Sequence, residues 1–230
     1  MSETAVYVGN RDIRTINEEI QHALESEHSV VVTDTLSRHN LGIGLPRSGQ
    51  VRFQGSVGYY CGGLNTGTDI QIDNNSGWGT GEAMSGGTIT VNGYAGMSTG
   101  AAMFDGLIHV KGDCGPRCGV AMKGGDIVVE GKLGYQAGFM AHKGRIIALG
   151  GAGVSCADAL WQAEVWVAGD IDSLGVDALI VEPDADEAEA VETLLQGLEL
   201  DDRTRDWRKI VSGQKLWFFE SRDANSWLMI

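Results

Sequence analysis

The central part of the chain repeats itself every 19 residues. Two apolar residues, separated by one residue, recur at this interval without an insertion: Val51/Phe53, Ile70/Ile72, Ile89/Val91, Ile108/Val110, Ile127/Val129, Ile146/Ala148 and Val165/Val167. Apolar residues at i and i+2 are typical of a short strand with one buried face. One such unit cannot bury that face alone, but stacked units can, because each strand pairs with its equivalent in the next unit.

Glycine occupies its own columns in this repeat, where a column is the set of equivalent positions in successive 19-residue coils. All but three of the 34 glycines lie between Gly42 and Gly175. Half of all the glycines stand four, seven or eleven residues after the start of an apolar pair. Glycine tolerates a positive φ or the close approach of another backbone, so these columns mark turns. The repeat therefore predicts a mainly β fold, a right-handed parallel β-helix of about seven coils.

The two flanks lack the repeat and are interpreted as caps, since the open ends of a β-helix invite aggregation. Residues 1–40 predict a small β-α-β unit, whose helix begins with the capping-box pattern Thr15-x-x-Glu18. The β-helix is expected over residues 41–178. Residues 179–230 predict a helix followed by an aromatic tail.

The aromatic C-terminal tail is a candidate interaction surface. Five of the six tryptophans lie from Trp161 onward, and aromatic residues are enriched at protein interfaces. We therefore expect a partner interface at Trp207, Lys215, Trp217, Phe218, Phe219 and Trp227. An alternative is that these rings cover the end of the β-helix, and both roles are compatible.

The charge of the chain narrows its range of partners. A formal net charge of −14 repels phosphate groups and so argues against nucleic acid or an anionic membrane as a partner. The sequence has no apolar run near the roughly 18 residues of a membrane span. Its first residues also lack the basic and apolar regions of a signal peptide. These features predict a cytoplasmic protein.

The spacing Cys114-x-x-x-Cys118 resembles half of a metal site, with Cys61 and Cys156 as the remaining ligands, but the positions of the cysteines in the repeat argue against such a site. Cys61, Cys118 and Cys156 share one column of small residues, and Cys114 lies in another. Buried free cysteine behaves as a small hydrophobic residue, and a disulfide is not expected in the cytosol. We therefore interpret the four cysteines as interior packing residues, and no metal site is predicted.

The histidines form no pattern associated with catalysis or metal binding. His109 lies between the two apolar residues of its strand and is expected on the outer surface with Arg52, Gln71 and Thr90. No catalytic or cofactor-binding residues are predicted in this chain. A column of methionines is interpreted as a core ladder: Met84, Met103 and Met122.

Several segments resemble a known family. The sequence NNSGWGTGEAMSGGTITV at residues 74–91, the recurring G-x-x-G-x-x-x-G coils and RHNLGIGL at residues 38–45 resemble the GxGxG domain family. That family includes the C-terminal β-helix of the glutamate synthase large subunit and the GxGxG subunit of formylmethanofuran dehydrogenase. The segment RKIVSGQKLWFF at residues 208–219 resembles a narrower group, in which a glutamate synthase is divided into three polypeptides. N-methylglutamate synthase belongs to that group.

The resemblance implies a non-catalytic scaffold subunit of an N-methyl-L-glutamate synthase. That complex converts methylamine and L-glutamate into N-methyl-L-glutamate and ammonia. The implied partners are a class-II glutamine-amidotransferase-like subunit and an FMN-binding glutamate synthase-domain subunit. FMN, with or without an iron–sulfur cluster, would belong to the partner, and no cofactor is expected in this chain.

Three alternatives to this function remain open. The first is the equivalent subunit of an ammonia-dependent glutamate synthase-like complex. The second is a protein like the GxGxG subunit of formylmethanofuran dehydrogenase, and the third is an autonomous β-helix binding module. The tail at residues 208–219 favours the glutamate synthase-like functions over the second alternative.

Overall fold

The computed structural model describes residues 4–27, 29–46, 48–200 and 204–214. Within these residues the helices are α1 (Ile13–Glu27) and α2 (Ala185–Gly197). The strands, in chain order, are β1 (Thr4–Tyr7), β2 (Ser29–Thr33), β3 (Gln50–Phe53), β4 (Asp69–Ile72), β5 (Ser85–Val91), β6 (Asp105–Val110), β7 (Lys123–Val129), β8 (Lys132–Leu133), β9 (Lys143–Ala148), β10 (Gly151–Ala152), β11 (Glu164–Val167), β12 (Ala178–Val181) and β13 (Arg208–Ser212).

The repeated strands stack into one sheet, in the order β1-β2-β3-β4-β5-β6-β7-β9-β11-β13-β12. Neighbours from β1 to β11 run parallel. Val51 stands opposite Ile70, Ile70 opposite Ile89, and the same column continues to Val165. The parallel β-helix of about seven coils is therefore confirmed, and each apolar pair lies against its equivalent in the next coil.

The interior of the β-helix is one continuous apolar core that runs through all the coils. The methionine column lies within it, as predicted, and its three side chains are fully buried. All four cysteines are buried and free, which confirms that they pack in the interior. The coil is thus filled by its own side chains along its length.

The glycine columns have two different physical causes. Gly100 adopts a left-handed conformation, with φ near +69°, as a turn glycine should. Gly96 does not; instead, a Cβ at this position would lie 2.6 Å from the carbonyl carbon of Gly77 in the preceding coil. The column of Gly96 is therefore fixed by contact between coils. Other left-handed positions are filled by non-glycine residues, among them Ala102 and Ala121.

The N-terminal β-α-β unit is present and closes one end of the core. Strands β1 and β2 extend the parallel sheet, while Ile16, Ile20 and Leu24 of α1 pack into the same core as the coils. The capping box expected at Thr15 and Glu18 is wrong, because Thr15 already lies inside α1. The side chain of Asp12 takes the capping role: its Oδ2 accepts from the Thr15 amide at 3.0 Å. This hydrogen bond lowers the pKa of Asp12.

The C-terminal helix lies on the outer face of the sheet. Val191 and Leu195 of α2 form a second apolar core with Val128, Ile147 and Trp166. The last two residues of this set belong to strands β9 and β11, on the side opposite the interior. Helix α2 begins with a capping box formed by Asp184 and Glu187. Strand β13 then pairs antiparallel with both β11 and β12.

The second core corrects the expectation for His109. Its side chain occupies the outward position of β6, but His109 is only 5% exposed. It stands opposite Val128 of the second core in the strand register, and its Nε2 lies 2.9 Å from Glu130 Oε1. Burial is the largest influence and lowers the pKa of His109, although Glu130 acts in the opposite direction. Arg52 and Gln71, further from α2, are exposed as expected.

Candidate functional site

The interior cysteines are unsuited to nucleophilic chemistry. Burial raises the pKa of Cys61 far above its ordinary value and that of Cys156 to about 12. A hydrogen bond with Cys114, together with burial, raises the pKa of Cys118. A thiol reacts as its thiolate, so these groups are almost entirely unreactive near neutral pH. In the described ranges, no three or more His, Cys, Asp or Glu side chains are arranged to hold a metal ion.

The turns of the coil carry the exposed apolar surface that the sequence did not reveal. We define the turn face as the four columns eight, nine, twelve and thirteen residues after the start of each apolar pair, in the six coils between Tyr59 and Ala159. Apart from Gly63 and Gly79, each of its residues is at least partly exposed. The most exposed large side chains of the turn face are Tyr60, Leu64, Trp78, Tyr135, Met140 and Val154.

Backbone hydrogen bonds hold the turns of successive coils in register. Tyr60 N–H donates to the Trp78 carbonyl at 2.7 Å, and Arg117 N–H donates to the Tyr135 carbonyl at 2.8 Å. The coils between them repeat this bond, and a second ladder begins with Leu64 N–H and the Glu82 carbonyl at 2.9 Å. Side chains of one column therefore project at nearly equal intervals, on the order of the 4.8 Å strand spacing.

The column eight residues after the start of each apolar pair forms an apolar strip along the β-helix, which has the form of a rod. It begins with a stack in which the ring centroids of Tyr59 and Trp78 lie 4.8 Å apart, and His39 stacks on Tyr59 at 4.2 Å. The column then continues through Met97, Pro116, Tyr135 and Val154. Beside its later coils lies a shallow groove of about 680 Å³, whose walls include Tyr94 and Pro116. The strip thus combines rigid rings with adjustable aliphatic side chains.

The turn face is almost free of charge. It contains Glu82, Arg117 and Asp158 as its charged residues, in a chain whose net charge is −14. The Arg117 guanidinium lies 5.7 Å from the centroid of the Phe139 ring. Asp158 accepts hydrogen bonds from Gln136 Nε2 at 3.1 Å and from a backbone amide. Two of the three charges are thus engaged within the face, which leaves an apolar surface able to exclude water.

The structure describes one residue of the predicted tail interface, Trp207, and not the others. Trp207 is 8% exposed; its ring packs edge-on against Trp166, and its Nε1 donates to Glu192 Oε1 at 2.7 Å. Its ring is thus packed within the chain, in the second core on the outer face of the sheet rather than over the end of the β-helix. The other predicted interface residues lie outside the described ranges, and the interface there stays a prediction: Lys215, Trp217, Phe218, Phe219 and Trp227.

An ion cluster around the buried Lys209 fastens the C-terminal unit to the sheet. Lys209 of β13 is 6% exposed; its Nζ lies 2.8 Å from Glu164 Oε1 and also binds Glu187 of α2. Burial opposes the charge, but the hydrogen bonds to the two carboxylates raise the pKa of Lys209 above its ordinary value. The same ammonium group lies 5.5 Å from the centroid of the Trp166 ring. This cluster joins α2, β11 and β13 and is structural in character.

Comparisons with known proteins give a likeness in fold. No family model matches the chain, and no curated protein matches it. Among solved structures, it is similar to a chain of the formyltransferase/hydrolase complex (FhcABCD) from Methylorubrum extorquens, determined in complex with methylofuran. The two share 22% sequence identity with a TM-score of 0.53, over 74% of this chain and 66% of that chain, slightly under two thirds of its length. At this identity the likeness concerns the fold.

The helices within the described ranges are too short or too polar to span a bilayer.

Proposed function

We propose that this chain is a non-catalytic scaffold subunit of a multi-subunit enzyme complex. The observation that carries the proposal is the filled, tightly stacked β-helix, in which a Cβ at Gly96 would lie 2.6 Å from the preceding coil. Such a rod has little freedom to bend, because every coil is hydrogen-bonded to its neighbours. It can therefore hold two larger subunits in a fixed relation. The similar chain in the Methylorubrum structure also belongs to a multi-subunit complex.

The particular complex we propose is an N-methylglutamate synthase. Its support is the resemblance of residues 38–45 and 74–91 to the GxGxG domain family, and of residues 208–219 to the free-standing GxGxG subunit of divided glutamate synthases. The partners would be an amidotransferase-like subunit and an FMN-binding synthase subunit, and the redox chemistry would belong to the latter. An amine that passes between two such sites benefits from a sheltered path and fixed geometry. The rod would supply that geometry.

A second candidate is a subunit of a formyltransferase/hydrolase-type complex, related to the formylmethanofuran alternative. The fold likeness to a chain of FhcABCD favours it. The segment at residues 208–219 favours the glutamate synthase-like complex. The two candidates share the scaffold role and differ in the partners and in the substrate of the complex.

Purification of the tagged full-length chain from its native host tests the proposal. Co-purifying polypeptides are identified by mass spectrometry, and the visible spectrum of the complex is recorded. A yellow complex with amidotransferase-like and synthase subunits, active with methylamine and glutamate, is the expected result. Activity with ammonia alone would favour the ammonia-dependent glutamate synthase. Hydrolase-type partners would favour the second candidate, and a chain that purifies alone would refute the scaffold role.

A further inference from the structure

The turn face has the size and composition of a protein interface. Its six large exposed side chains are each between 43% and 57% exposed. At roughly 100 Å² each, they present on the order of 600 Å² of side-chain surface, which is the upper end for the largest apolar patch of a typical monomer. The partly exposed members between them, such as Tyr59 and Met97, extend this area toward the roughly 800 Å² that each partner buries in a standard interface.

The turn face is also organised before any partner binds. Its turns are fixed by two ladders of backbone hydrogen bonds, and Tyr59 is already stacked between His39 and Trp78. Association therefore needs little ordering of loops or of these rings, so the conformational entropy lost in binding is small. Rigid aromatic side chains in such settings are the usual centres of binding energy.

Within the described residues, the two helices cover two other apolar surfaces, whereas the turn face has no such cover. Helix α1 packs into the core at the N-terminal end, and α2 covers the outward side chains of β7, β9 and β11. Trp166, which would otherwise be an exposed ring on the sheet, is 1% exposed beneath this cover. On the turn face, by contrast, Trp78 and Tyr135 are each 48% exposed.

The net charge of the chain favours a different protein over a second copy of this chain as the partner. Two copies joined through their turn faces would bring two bodies of net charge −14 together, and this repulsion opposes self-association. The turn face itself offers three charged residues, so it does not select a strongly basic partner by ion pairs. The surface suits an apolar protein patch on a subunit that is less acidic than this chain.

We propose that the turn face is the site at which a catalytic partner subunit docks on this rod. The partner presents an apolar, uncharged strip that lies along the column from Tyr59 to Val154, over about 24 Å if the coils are spaced by 4.8 Å. This inference rests on the proposed scaffold function, since it assigns a surface to the subunit contact that the function requires. It does not depend on which of the candidate complexes is formed.

A matched pair of substitutions tests the docking site. Tyr135→Ala removes a half-exposed ring from the turn face, whereas Tyr7→Ala removes a ring that is 57% exposed on β1, away from it. Each full-length variant is titrated with the partner subunit isolated from the native complex. We expect Tyr135→Ala to weaken binding at least tenfold, as for an aromatic residue that contributes strongly to an interface, and Tyr7→Ala to change it less than twofold. Thermal unfolding followed by circular dichroism verifies that both variants fold.

The outcomes separate the docking proposal from the scaffold proposal. Equal binding by the two variants, with the complex intact, would overturn the docking site and leave the scaffold role standing. A wild-type chain that purifies alone would overturn both. A photoreactive cross-linker at position 97 adds an independent readout: cross-links to the co-purifying subunit support the proposal. Cross-links to a second copy, or to residues 215–230 of the same chain, would overturn it.

Discussion

Replacement of Gly96 by alanine tests whether contact between coils limits the spacing of the β-helix. The Gly96 amide donates to the Ser76 carbonyl at 3.0 Å, which holds the two coils together. A Cβ added to Gly96 would lie 2.6 Å from the carbonyl carbon of Gly77 and 2.7 Å from its oxygen. Favourable carbon contacts begin near 3.5 Å, so the coils would have to separate locally by roughly 1 Å. That movement would lengthen the hydrogen bonds on both sides of the turn.

The expected cost is about 2 kcal/mol. Overpacking of an interior commonly costs about 1–3 kcal/mol, and the upper part of this range applies because the obstacle is backbone, which cannot rotate away. Alanine also restricts the unfolded chain more than glycine does, and this effect alone would stabilise the folded state by about 0.4–1 kcal/mol. Gly197 at the end of α2 is the matched control, since nothing lies within 4 Å of its added Cβ and its φ is not left-handed. Gly197→Ala should be neutral or slightly stabilising.

Urea denaturation, followed by circular dichroism, measures the difference between the two variants. For a slope of about 2 kcal/mol per molar urea, the midpoint of Gly96→Ala should fall by roughly 1 M, and that of Gly197→Ala should not fall. A Gly96→Ala midpoint equal to that of the wild type would refute the argument. Contact between coils would then not be the reason for glycine in the column of Gly96. The coils would be able to move apart more easily than their hydrogen bonds suggest.

Three further predictions concern titratable groups. Because burial lowers the pKa of His109, the unfolded chain binds a proton before the folded chain does as pH falls. The free energy of unfolding should therefore decline below about pH 6.5. Between pH 5 and 8, the urea midpoint of His109→Gln should depend less on pH than that of the wild type. The native chain should not react with a thiol reagent at pH 8, whereas unfolding should expose all four cysteines. Lys209 and the Asp184 amide lower the pKa of Glu187, so the stability that this ion pair contributes should be present above about pH 4.5 and be lost as pH falls below it through the lowered value. The urea midpoint measured from pH 5 to 3 should show this loss, and Lys209→Met should show a smaller one.

The register of the sheet could be predicted residue by residue because two independent patterns agree. The alternation of the apolar pairs sets which face is buried, and a slip by one residue would expose every inward side chain. The glycine columns repeat with the same 19-residue step. The pairing of Ile89 with Ile108 and of Ile108 with Ile127 follows from both. Few chains carry such redundant information about pairing.

The start of α1 was not predictable from local pattern alone. Thr15 and Glu18 match a capping box, but Asp12 and Thr15 have the same spacing of capping groups. The chain before the helix decides between them: Val8 N–H pairs with the Thr33 carbonyl, and the helix begins soon after this bond, at Ile13. That bond joins residues 25 positions apart in the sequence, and a window of a few residues does not contain it.

The sequence contains a pattern that indicates the packing of α2 on the sheet, although the sequence-based prediction did not use it. The outward column of the sheet is polar at Arg52 and Gln71 but apolar at Val128, Ile147 and Trp166. An outward column that becomes apolar in consecutive coils requires a partner, because each coil adds its side chain to the same strip. The apolar stripe of the acidic helix, with Val191 and Leu195, supplies that partner.

The turn face follows the same rule, but the chain supplies no cover within its described residues. Sequence alone does not distinguish an outward apolar column from an inward one at the turns, since both recur every 19 residues. The distinction depends on left-handed conformations at non-glycine positions, such as Ser98 and Ala102, which local propensity does not predict. A repeat multiplies one outward position into a strip along the rod. Trp78 and Tyr135 therefore matter less as single exposed rings than as members of one column, and a partner that meets one of them meets the whole strip.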